Sequence, residues 1–146
     1  MDYLGTAYVN ILGITDGNSN KEEVFDIVSD RFSNDYGIEV LPIVADGADE
    51  NAIKDVVAQT IATFGKINTL VNNAQVSKSG LPLIEHTKED LDLAIHSGLY
   101  AAFFYMRECH PYLKESKGSV INFASGAGMF GKLGQSSYAA AKEGIR

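Results

Sequence analysis

Apolar positions along the chain keep two rhythms that alternate. Short runs of β-branched and large apolar residues predict strands, and longer stretches with apolar residues three or four apart predict helices. Residues 7–14, Ala-Tyr-Val-Asn-Ile-Leu-Gly-Ile, are a run of the first kind. Ser19 and Glu22 then have the spacing of a capping box. The helix predicted from them carries Val24, Phe25, Ile27, Val28 and Phe32 on one side and stops at Gly37. Residues 38–45 predict a second strand, with Pro42 its one blemish. After the turn Asp46-Gly47-Ala48-Asp49, a second helix shows Ile53, Val56, Val57, Ile61 and Phe64 at helical spacing, and Gly65 ends it.

Residues 69–71 predict a short buried strand running into Asn72-Asn73-Ala74-Gln75, and a Ser-, Gly- and Pro-rich loop covers 76–86. A long helix starts at Thr87, with apolar positions Leu91, Ala94, Ile95, Leu99, Ala102, Phe103 and Met106; Pro111 should kink or end it. Beyond Gly118, residues 119–124 predict a buried strand, and a last helix opens near Ser136. Strands alternating with helices imply an α/β fold, a parallel sheet with helices on both faces. Ligands of such sheets bind at the C-terminal strand ends, where Asp46, Asn72 and Ser125 are expected. No repeat or linker divides residues 1–146, so a single domain is expected.

Charge and composition narrow the function classes. A formal charge of -7 argues against a nucleic-acid or anionic-membrane surface, either of which favours a basic patch. The apolar run at 99–106 is too short to span a bilayer, and the start of the chain lacks the basic and apolar segments of a secretion signal. A single cysteine, Cys109, fits a reducing compartment, and the cytoplasm is the expected location. His86, His96 and His110 have no carboxylate or cysteine at ligand spacing, so no metal site is expected. Cys109 and His110 are adjacent on a helix and point different ways; both read as ordinary helix residues.

The candidate chemistry lies near the C-terminus. Ser125 ends the run Ser119-Val120-Ile121-Asn122-Phe123-Ala124, and Ser137-Tyr138-Ala139-Ala140-Ala141-Lys142 follows. Tyr138 and Lys142 are four apart and share a helix face. A hydroxyl, a phenol and an ammonium together suit proton transfer to a carbonyl. Ser125 precedes Tyr138 by 13 residues, Asn72 precedes Ser125 by 53, and Asp46 precedes Asn72 by 26. This combination resembles the short-chain dehydrogenase/reductase family. The resemblance implies a Rossmann-like doubly wound parallel sheet, here incomplete, and a hydride transfer between NAD(P) and a ketone or secondary alcohol. It assigns Tyr138 as general acid/base, Ser125 to hold the substrate oxygen, and Lys142 to favour the phenolate and bind the nicotinamide ribose. Asp46 would contact the adenine, and Asn72 and Ala74 would line the cofactor. The long helix, residues 88–110, would pair with its copy in a homo-oligomer.

The chain departs from the family at three places. The family's glycine-rich turn, which presents N–H groups to a pyrophosphate, is not visible before residue 7. The family's helix asparagine, which helps hold a water beside the lysine, aligns with Gly98, and Gln75 replaces the last glycine of its Asn-Asn-Ala-Gly turn. Residues 7–14 then count as the family's second strand. Loss of the central first strand would leave a gap of about 9.6 Å, two strand spacings, with raw edges on either side. Alternatively 12–19 is a decayed glycine turn and 7–14 the first strand, with a later strand-helix unit missing. A fragment or degenerate relative of a longer protein is expected. Two functions stay open: an oxidoreductase, or a truncated, non-catalytic relative that serves as an oligomerising or binding module. Residues 12–15, at the end of the family's second strand, offer no acidic side chain to the adenosine ribose, which favours NADP slightly over NAD.

Overall fold

The computed structural model describes residues 8–10, 30, 32 and 34–146. Three parallel strands form its sheet in the order β1 (Tyr8–Asn10), β2 (Thr69–Asn72), β3 (Ser119–Asn122). Tyr8 registers with Thr69, and Thr69 in turn with Ser119. Parallel strands need long crossovers, and the helices supply them. These are α1 (Glu50–Phe64), α2 (Lys88–Ala94), a π-helical segment (Ile95–Tyr100), α3 (Ala101–Ser116), α4 (Gly126–Phe130) and α5 (Ser136–Ile145).

Local signals account for the helix ends. Asp49 caps α1 by accepting from the Asn51 N–H, and Gly65, at φ 73°, closes it with a bond to Ile61. Thr87 and Asp90 cap α2 reciprocally. Gly37, at φ 62°, follows helical backbone at 34–36, as expected of a stop; the helix predicted upstream of residue 30 lies outside the described residues. At the end of α3, Lys117 takes a left-handed conformation and the Gly118 N–H reaches back to Leu113 O at 2.8 Å. That turn leaves no room at 118, where a Cβ would stand 2.3 Å from the Asn68 carbonyl oxygen.

The core is built where α1 and α3 pack on β2. Ile53, Val56 and Val57 of α1 meet Tyr105, Cys109 and Leu113 of α3 around Ile67 and Leu70. Tyr105 thus belongs to the core, whereas Tyr100 and Phe103 are exposed. Arg107 joins the two helices from outside, bonded to Glu50 and lying over the Phe103 and Phe104 rings.

Four expectations need correction. Residues 38–45 form no strand: Pro42 lacks a donor, β1 pairs elsewhere, and Ile38 and Val44 face solvent. Of the two outcomes expected of Pro111, a kink or an end, the end does not occur, for its helix runs on to Ser116. The carbonyl it leaves without an amide partner is that of Arg107, on the exposed side where water can serve it. No two-strand gap opens in the sheet, because β1 pairs directly with β2, the place a first strand would take. Lastly, β3 is not buried, for all four of its side chains are exposed. Among the described residues it pairs with β2 alone, and no helix covers it as α1 and α3 cover β2.

Candidate active site

The C-terminal ends of β2 and β3 are clamped together. Asn72, buried, donates through Nδ2 to Asn122 Oδ1 at 2.8 Å, and its carbonyl accepts the Phe123 N–H at 2.9 Å. Asn122 was not singled out from the sequence. The available signal was that two four-residue strands end in the same amide side chain, in register.

Just beyond, the Phe123 carbonyl accepts from Lys142 Nζ at 2.7 Å, which brings α5 to the end of β3. Lys142 is only 5% exposed, and burial pushes its ammonium below the ordinary lysine range. On the same face of α5 the Tyr138 ring lies 5.8 Å from Nζ. Ser125 caps α4, its Oγ accepting from the Ala127 N–H at 3.2 Å. Accepting leaves the hydroxyl proton available to another oxygen. The small residues of this region have a packing cause. A Cβ at Gly128 would sit 2.9 Å from the Glu143 nitrogen, so α4 lies directly against the backbone of α5.

Of the six residues singled out from the sequence, five lie on β2, β3 and α5 or the turns that leave them: Asn72, Ala74, Ser125, Tyr138 and Lys142. Asp46 is placed differently. With no strand before it, its carboxylate accepts the Ala48 N–H at 2.9 Å and shapes the turn into α1. Cys109 is fully buried, and burial, then Glu108, push its thiol up to about 12, which removes it as a nucleophile. Among the described residues no group of three or more His, Cys, Asp or Glu is placed to hold a metal ion. No described helix is long and apolar enough to cross a membrane.

A parallel sheet with an amide and a hydroxyl at its strand ends, and a phenol and a buried ammonium on the helix packed beside them, defines an incomplete Rossmann-like α/β protein. The family model for short chain dehydrogenase matches residues 14–146, and the chain belongs to that family. It is 56% identical over 131 residues to a 12α-hydroxysteroid dehydrogenase of Clostridium sp., covering 87% of this chain and 50% of that protein. It is 36% identical over 105 residues to a 3-oxoacyl-acyl-carrier-protein reductase, FabG, of Thermotoga maritima, covering 71% and 42%. Among solved structures, levodione reductase superposes with a TM-score of 0.76 at 30% identity, over 85% of this chain and 48% of that one. An NAD+-bound xylitol dehydrogenase gives 0.78 at 23% identity, over 85% and 48%, a likeness of fold. The chain spans about half the length of the relatives it matches.

Proposed function

We propose that the chain is the catalytic part of an NAD(P)-dependent oxidoreductase that interconverts a ketone and a secondary alcohol. The observation that carries this reading is Lys142. A lysine ammonium is costly to bury, yet this one is held between the end of β3 and the Tyr138 ring. Beside that cation, Tyr138 is the group placed to take a proton from an alcohol or return it to a carbonyl oxygen. Ser125 donates its free proton to that same oxygen and fixes its position.

The residues present fit the nicotinamide end of a cofactor: a buried cation beside a phenol, and the turns after β2 and β3 with Asn72 and Ala74. Asp46 is the proposed contact for the adenine. Bound nicotinamide supplies or takes up the hydride. NADP is favoured slightly over NAD, on the absence of an acidic residue at 12–15. The 56% identity to a 12α-hydroxysteroid dehydrogenase makes a steroid secondary alcohol the first substrate to test. Pairing of the 88–110 helix with a second copy, through the exposed Tyr100 and Phe103, and a cytoplasmic location belong to the same reading.

The non-catalytic alternative draws on the uncovered Val120 and Ile121 of β3 and Phe123 just beyond it, which would suit a binding or oligomerising module. Titration with NADPH and NADH, following nicotinamide fluorescence, separates the two. Saturable binding is expected, and Tyr138→Phe should abolish turnover, about 100-fold or more, while leaving binding nearly unchanged. No saturable signal with either nucleotide would leave the module as the better reading; turnover surviving in Tyr138→Phe would remove the tyrosine from its role.

A further inference from the structure

Two residues 23 positions apart in the sequence, Gln75 and Gly98, occupy one space in the fold. A Cβ built on Gly98 would stand 2.7 Å from Gln75 Cδ, 3.0 Å from Oε1 and 3.1 Å from Cγ. Side-chain atoms do not approach so closely, so any residue larger than glycine at 98 displaces the Gln75 carboxamide. The amide is also tethered, because Nε2 donates to the Ala94 carbonyl at 3.5 Å, one residue before the π-helical segment. The next residue repeats the attachment. Ser97 Oγ accepts the Val76 N–H at 3.0 Å, and its one proton has two acceptors in reach, Leu93 O at 2.6 Å and Val76 O at 2.8 Å. The loop leaving β2 is therefore stitched to the π turn at two successive residues.

One atom in this arrangement has no partner. Gln75 Oε1 is buried, and among the described residues no protein donor reaches it. Buried amide oxygens are nearly always paired, and where protein donors are missing an internal water is the usual donor. Ser137 Oγ, on the α5 helix that packs against the same π segment, is likewise buried without a partner.

We propose that Gln75 is a positioning residue: seated over Gly98, its carboxamide locks the loop after β2 onto the π turn, and its Oε1 accepts from a buried water. Its functional side rests on the oxidoreductase reading, since the locked loop begins at Asn72 and Ala74 and so sets that wall of the site.

A double-mutant cycle in the full chain tests the pairing without any need for activity. Gly98→Ala should lower Tm by about 5–10 °C, as overpacking does. In a Gln75→Ala background the same change should cost little, about 2 °C or less, because the space has been vacated. Equal losses in both backgrounds would overturn the pairing. Gln75→Met keeps the length and removes the carboxamide; a fall of about 3–5 °C is expected, and an unchanged Tm would overturn the lock. Should Gly98→Ala fail to fold, a high-resolution structure of the parent decides. A water within about 3.2 Å of Oε1 supports the proposal, and an Oε1 with no such water overturns it. In the active enzyme, Gln75→Met should lower kcat/KM about 10-fold through weaker cofactor binding, with Tyr138 unaltered. If the parent binds no nicotinamide, the oxidoreductase reading fails while the Tm cycle still decides the pairing.

Discussion

Strands β2 and β3 are neighbours of equal length and nearly equivalent sequence, Thr-Leu-Val-Asn and Ser-Val-Ile-Asn, yet they meet different fates. Leu70 of β2 is completely buried, whereas Val120 and Ile121 of β3 are 40% and 48% exposed. The two strands share one parallel ladder and a clamp of asparagines at its end, and β2 also pairs with β1 on its other side. The difference is in what lies over each. Two helices bring Ile53, Val57, Tyr105 and Cys109 around β2, and β3 receives little besides the ladder and the Lys142 hook at Phe123. A strand's apolar side chains stabilise a fold only in proportion to the area that neighbours remove from water. The site sits on the junction, with its amide from the covered strand and its hydroxyl and cation from the side of the uncovered one.

The sharpest way to break this arrangement is Gly118→Ala, at the turn that sends the chain from α3 into β3. The added methyl would stand 2.3 Å from the Asn68 carbonyl oxygen, which is backbone and cannot swing away, and 2.9 Å from Leu113 Cδ2. The turn itself also needs its Gly118 N–H bond to Leu113. Loss of about 3 kcal/mol or more is expected, read as a large drop in the urea midpoint. A loss under about 1 kcal/mol would mean the two strands are not so tightly joined at this end.

Next in size comes the direct comparison. Leu70→Ala should cost about 2–5 kcal/mol, the range for an aliphatic side chain deleted from a packed core. Ile121→Ala removes a similar side chain from the next strand and should cost about 1 kcal/mol or less, because its methyl groups already touch water. Chemical denaturation of both variants checks it. Equal losses would mean that β3 is covered in solution by something beyond the described contacts, such as a second copy.

How far this division could be read in advance depended on the range of the signal. The α1 helix was legible because its caps, Asp49 and Gly65, and its apolar face are local. So was the placing of Tyr138 beside Lys142, which helical spacing alone sets. Residues 38–45 and β3 carry equally strong apolar runs, but whether such a run pairs, and what covers it, is decided by distant segments. The length of α3 was misread for a related reason: Pro111 is tolerated because its side of the helix faces water, which only the packing of Cys109 and Leu113 reveals. At the site, the substitutions at Gln75 and Gly98 read as two separate departures from the family. Their spatial meeting explains each by the other.

The smallest predicted effect is one of pH, and it probes the hook that holds β3 to α5. Burial places the folded-state pKa of Lys142 below the ordinary 10.5. Between those two values the unfolded chain keeps a proton that the folded chain has released, so this group's contribution to stability rises with pH through that window. It is fully present only above 10.5, and a fall in pH through the folded-state value takes it away as the ammonium recharges inside the fold. Tyr105 and Cys109 act with the opposite sign, because burial raises both to about 12. Their contribution is complete below the ordinary phenol and thiol values of 10.0 and 9.0 and is lost above them. The whole-protein profile therefore mixes the two trends, and the difference between the parent and Lys142→Met isolates the lysine. Thermal melts of both from neutral pH upward should show the parent gaining on the variant as pH rises. A difference that stays flat up to 10.5 would mean that Nζ is open to water in solution, and that α5 is not held to β3 through it.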